Sequence, residues 1–126
     1  MKYQELLKNI NIWNKLWSTK NFNPNTSPTV NVEYFNKYHL PKKNKKKFKI
    51  LDVGFGNGRN SFYLLNLGFN VYGIDSSKFV VKKIKEKLGD KKENFKLNSF
   101  TDIDFPDCYF DAVIAEASLY YGTKKD

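Results

Sequence analysis

The chain has 126 residues, room for one domain, and its 40% hydrophobic and 17% aromatic content is enough apolar material to exclude whole-chain disorder. The net charge of +9 lies wholly in the first 50 residues, where eleven lysines face two acids, while basic and acidic groups balance in residues 51–126. A single cysteine, Cys108, excludes an intrachain disulfide framework. No apolar run reaches the ~20 residues of a membrane span, so a soluble, cytoplasmic protein is expected.

In chain order, Tyr3, Leu6, Leu7, Ile10, Trp13 and Trp17 recur at helical spacing and make one apolar stripe. The turn-rich stretch from Asn21 to Pro28 ends that helix. A second helix is expected through Val32, Phe35 and Tyr38, stopping before Pro41. The charge excess follows, in Lys42, Lys43, Lys45, Lys46, Lys47 and Lys49. Arg59 is the single arginine, and the planar guanidinium is the group that reads phosphates and bases bidentately. The lysine run therefore reads as a solvated linker in preference to a nucleic-acid patch, and the chain divides into a helical segment with a Lys-rich linker (1–47) and a second unit (48–126).

From Phe48 onward strands and helices alternate. Phe48 to Val53 is an apolar run of the kind found in a strand buried on both faces. A helix is expected from Asn57 to Leu67, with Gly68 as a left-handed stop. Asn70 to Ile74 forms a second strand ending at Asp75, and Ser76 or Ser77 caps a helix whose apolar face is Phe79, Val80, Ile84 and Leu88. Asn94 to Asn98 and Phe110 to Ala115 read as third and fourth strands. This order predicts an α/β, Rossmann-like three-layer sandwich, partial, with about four parallel strands after an N-terminal helical segment.

The informative junction is Asp52-Val53-Gly54-Phe55-Gly56-Asn57-Gly58-Arg59, between the first strand and its helix. An open α/β sheet binds its ligand beyond the strand ends at such a place. Alternate glycines allow a tight turn and a close backbone approach. The dinucleotide fingerprint needs glycine at the sixth position from Gly54, which is Arg59 here, and the Gly-Lys-Ser/Thr of a phosphate loop is absent. The remaining pattern resembles the first motif of the class I S-adenosylmethionine-dependent methyltransferases. Val71-Tyr72-Gly73-Ile74-Asp75 is similar to the second motif of that family, and Ser99 to Ile114 to its third and fourth.

The resemblance implies S-adenosylmethionine as cofactor. It places Asp75 on the ribose hydroxyls, Asp52 near the methionine end, and Gly54, Gly56 and Gly58 along the methionine and adenosine parts. Ser99 stands where the family often carries an acid toward the adenine amino group, with the Phe100 N–H toward a ring nitrogen and Asp102 as a nearby acid. No metal is expected. Gly58-Arg59-Asn60-Ser61 is similar to the branch acting on small molecules, so the expected partner is a small-molecule methyl acceptor. Glu116-Ala117-Ser118-Leu119-Tyr120 lacks the Asp/Asn-Pro-Pro-aromatic box of amino-methylating DNA enzymes, and Cys108 follows Asp107 instead of proline, which disfavours base-flipping chemistry. Glu116, Tyr120 and His39 are candidate bases by position alone.

A full sheet of this family has seven strands, so the chain reads as cut short after the fourth, with that strand's outer edge open to self-association. The expected activity is methyl transfer. A non-catalytic cofactor-binding or partner-pairing module stands as the alternative, and Arg59 weighs against a nucleotide-dependent oxidoreductase.

Overall fold

The computed structural model describes residues 3–19, 22–23 and 26–116. Its centre is one sheet of β1 (Lys49–Val53), β2 (Asn70–Asp75), β3 (Phe95–Leu97) and β4 (Ala112–Ile114), in the order β3-β2-β1-β4 with every pairing parallel. Parallel neighbours require crossovers. Helix α3 (Arg59–Asn66) joins β1 to β2, and α4 (Lys78–Leu88) leads from β2 toward β3. The two remaining helices, α1 (Tyr3–Thr19) and α2 (Val30–Tyr38), precede the sheet.

The strand sequences explain the layers. Side chains alternate along a strand, so Ile50, Val71, Phe95 and Ile114 meet α3 and α4 through Leu64, Val80, Ile84 and Leu88. Leu51, Val53 and Ile74 point the other way, against Phe100, Phe105, Phe110 and Ala115. The expected three layers are therefore present. The β3–β4 connection supplies the third one, with aromatic rings in place of a helix: Phe105 and Phe110 lie 4.8 Å apart edge to face, and the Tyr72 and Tyr109 hydroxyls are 3.1 Å apart.

Helix ends follow local chemistry. Gly68, at φ +96°, closes α3 with bonds from Gly68 N–H to Leu65 O and from Phe69 N–H to Leu64 O. That is the paired return of a Schellman motif, which needs a left-handed residue. Ser77, not Ser76, is the cap of α4, its Oγ accepting from Val80 N–H.

The segment before residue 48 shares the core of the sheet. Val32 of α2 is 2% exposed and Leu40 4% exposed, both in the larger cluster, and α1 packs on α4. The change at residue 48 thus marks a change of sequence pattern within one core. Of the predicted α1 stripe, Ile10, Trp13 and Trp17 are half-buried, whereas the side chains of Tyr3, Leu6 and Leu7 lie outside the described set. The linker is partly ordered by its own lysines: Lys45–Lys47 form a 3-10 turn, and Lys45 Nζ sits 5.4 Å from the Phe69 ring centre.

Alternation along a strand from Phe110 to Ala115 predicts Phe110, Ala112 and Ile114 on one face, Val113 and Ala115 on the other, and neither face covered where a sheet stops at its fourth strand; both expectations need correction. Phe110 does not share a face with Ala112 and Ile114; it packs in the opposite cluster. The strand begins only at Ala112, because Asp111 brackets Lys49: its N–H donates to Lys49 O and its Oδ2 accepts from Lys49 N–H. Phe110 precedes that bracket and is free of the strand's alternation. Nor are both faces of β4 uncovered. Ile114 is only 8% exposed within the larger cluster, while Val113 is 55% exposed. Asn31 Nδ2 of α2 donates to Glu116 Oε1 at 3.0 Å, setting the start of that helix against the end of β4.

Candidate functional site at the carboxyl ends of the strands

Beyond Val53 the chain must leave the sheet and enter α3 within five residues, and three alternate glycines accomplish the turn. Gly54, Gly56 and Gly58 have φ of +70°, +55° and +79°, the left-handed region that side chains disfavour. Gly54 N–H donates to Ile74 O at 2.8 Å, so the loop starts in register with β2. Gly58 N–H turns back to Phe55 O, and Gly58 O receives the N–H of Phe62 as α3 begins.

Asp75, at the end of β2, joins this loop to the next. Its Oδ2 accepts from Gly56 N–H and its Oδ1 from Ser77 N–H, both at 2.9 Å. Burial raises its pKa, against the lowering effect of those two donors. A carboxylate offers about four lone-pair positions, so two remain for a further donor.

Asp52 is 2% exposed and accepts a 2.6 Å bond from Ser61 Oγ of α3. Burial pushes its pKa up to about 7; the Ser61 bond opposes the rise, and the carboxylates of Asp75 and Glu116 add to it. Three acids therefore converge where β1, β2 and β4 end. Such a field attracts a cation and repels a pyrophosphate.

Two of the glycines are needed by the protein's own packing. A Cβ on Gly56 would lie 2.8 Å from Trp17 Cζ2, and one on Gly58 would lie 2.5 Å from Ile84 Cδ1. The sequence explains these glycines by a tight turn and a close ligand approach; the packing of the chain's own side chains is a further reason. Trp17, part of the apolar stripe of α1, is a neighbour of the loop.

The expected adenine-side residues are placed beyond β2 and β3. Asn98 N–H donates to Asp75 O, which sets Ser99 next to the end of β2. Ser99 itself is engaged in a local turn: its N–H donates to Asn98 Oδ1, and its Oγ accepts from Thr101 N–H. Phe100 packs against the cluster of Leu51, Val53 and Ile74, and Asp102 is exposed. Glu116 reaches the acidic group. His39 does not: it is exposed at the far end of α2 from Asn31, against Tyr34 and Phe35. Tyr120 lies outside the described residues.

A polar strap that no sequence motif marks also meets the loop. Asn57 Nδ2 donates to Asn23 O and Thr26 Oγ1, and Asn60 Oδ1 accepts from Thr29 N–H at 2.8 Å. Asn14 of α1 accepts from Ser77 Oγ at 2.7 Å. The chain is rich in asparagine, and the side chains of Asn14, Asn57 and Asn60 carry these bonds. Among the described residues no His, Cys, Asp and Glu cluster could hold a metal ion, and no helix is long and apolar enough to cross a membrane.

Residues 51–125 match the sequence family described as "Methyltransferase domain". Three proteins of Schizosaccharomyces pombe, each named an uncharacterized methyltransferase, are 36% identical to the chain over 67 residues, covering 52% of this chain and 46% of each relative. The match thus spans about half the length of these curated relatives. No solved structure matches the chain at a significant level.

Proposed function

As this chain belongs to the class I methyltransferase-domain family, we propose that it binds S-adenosylmethionine beyond the ends of β1 and β2 and transfers the methyl group to a small-molecule acceptor. The observation that carries the reading is the Asp75 carboxylate, tied to Gly56 N–H and Ser77 N–H with acceptor positions to spare. A vicinal diol such as a ribose presents two donors that suit those positions.

The cofactor supplies an activated methyl group on a positively charged sulfonium. The chain's residues hold and orient it. Asp75 receives the ribose hydroxyls, and the loop of Gly54, Gly56 and Gly58 gives its backbone to the methionine and adenosine parts. Asp52 lies just before that loop, and the Asp75 and Glu116 carboxylates whose charge it feels set a negative potential suited to a cation. Ser99 and the backbone of Phe100 flank the adenine. Methyl transfer from such a donor depends mainly on proximity and alignment, so no further catalytic group is required of these residues. Glu116, held by Asn31, is the described carboxylate at the end of β4 and is the candidate to hold an acceptor or take its proton.

Calorimetry of the full chain tests the reading. S-adenosylmethionine and S-adenosylhomocysteine should bind, and NAD should not; binding of NAD with no response to either sulfur compound would refute it. A panel of small thiols, amines and carboxylates with labelled cofactor then separates methyl transfer from cofactor binding alone.

A further inference from the structure

We propose that helix α1 is part of the cofactor site, with Trp17 forming its wall over the centre of the glycine loop. The inference rests on the cofactor reading above and assigns a contact on a helix that lies outside the residues matching the family, 51–125.

Asn14 and Trp17 are three residues apart in α1, so they share one face. Asn14 accepts from Ser77 Oγ, fixing that face to the start of α4. Trp17 reaches Gly56, its Cζ2 2.8 Å and its Cη2 3.3 Å from the point a Cβ on that glycine would take. Ser77 N–H and Gly56 N–H are in turn the two donors held by Asp75. Contacts run from Asn14 through Ser77, Asp75 and Gly56 to Trp17, and the turn of α1 between Asn14 and Trp17 closes the circuit around the end of β2. A ligand that lies along the loop and reaches Asp75 has to pass beside the indole.

The placement is fastened from a second direction. Downstream of α1, Asn23 O and Thr26 Oγ1 are held by Asn57 of the same loop, and Thr29 by Asn60 of α3. The strap and the helix thus meet the loop from two sides. An aromatic ring set there excludes water from the ligand and covers apolar atoms of the adenosyl and methionyl groups, which is a binding contribution as well as a packing one.

Equilibrium titration of the full chain with S-adenosylmethionine and S-adenosylhomocysteine tests this, followed by calorimetry and by tryptophan emission. Trp17→Ala should weaken binding of both about tenfold, while Trp17→Phe, which keeps an aromatic wall, should retain most of the affinity. In a Trp13→Phe background the remaining emission comes from Trp17, and it should shift on saturation. Unchanged or tighter binding by Trp17→Ala, or Trp17 emission blind to bound ligand, would overturn the proposal while leaving the cofactor reading intact. Should Trp17→Ala not fold, the emission experiment on Trp13→Phe decides alone. A parent chain that binds neither compound would overturn the cofactor reading, and this proposal with it.

Discussion

Ser61 Oγ lies 2.6 Å from Asp52 Oδ2, and both residues are almost wholly buried. A hydroxyl can donate to a carboxylate or accept from a carboxylic acid, so the pair is satisfied in either protonation state. The choice between them is made by burial and by the neighbouring Asp75 and Glu116, which bring the pKa of Asp52 up to about 7.

This pair makes stability fall as pH rises. The unfolded carboxyl titrates near 3.8 and the folded one near 7, so between those values the folded chain binds the extra proton. Each pH unit in that window removes about 1.4 kcal/mol through this group, and the loss levels off above pH 7. Asp75, also raised by burial, acts in the same direction. Asp52→Asn keeps an oxygen for Ser61 but has no proton to lose. Urea unfolding from pH 4.5 to 7.5 should show a declining stability for the parent and a flatter profile for Asp52→Asn.

Asp75 holds two backbone donors with two oxygens, and an asparagine has only one oxygen to offer. Asp75→Asn leaves Gly56 N–H or Ser77 N–H without its partner, which costs about 1–3 kcal/mol for a buried group. The same change removes the charge facing the ribose. Denaturant titration should show the stability loss, and calorimetry should show cofactor binding weakened more than tenfold, charge-assisted bonds being about twice as strong as neutral ones.

Glycines of similar backbone conformation should differ in cost. Gly58 and Gly68 both have positive φ, +79° and +96°. A Cβ at Gly58 meets Ile84 at 2.5 Å and Phe62 at 3.2 Å, whereas at Gly68 the nearest atom, Lys45 Cβ, is 4.0 Å away. Gly68→Ala should therefore cost only the backbone strain, about 1 kcal/mol. Gly58→Ala should add overpacking of about 1–3 kcal/mol to that strain. Thermal melts of the two variants measure the difference.

The contrast between those glycines shows what was legible in the sequence. Strand and helix periodicity, with the order of the acid and glycine motifs, is local information, and it placed β1, α3, β2 and α4 to within a residue or two at most ends. The partner of Asp75 was not legible, because Gly56 N–H is brought to it by the fold across nineteen positions. Trp17 on Gly56 and Asn14 on Ser77 are longer-range still, and a helical stripe does not say which element its face will meet. Phe110 was misassigned for a different reason. Alternation holds only inside a strand, and the Asp111–Lys49 bracket moved the strand's beginning past it.

The edge of the sheet supplies the last test. Among the described residues β4 is hydrogen-bonded to β1 alone, and Val113, between two better-covered neighbours, is 55% exposed. An apolar side chain on a strand with an unpaired edge favours pairing with a second copy. The helix-covered side of β4 holds Ile114 in the core, so a change at Val113 should leave the fold in place. Val113→Lys puts a charge on the exposed side, the device by which edges are kept apart. Light scattering over a concentration series should show the parent chain associating and Val113→Lys monomeric, with the same melting behaviour. A parent chain that stays monomeric throughout would overturn this expectation.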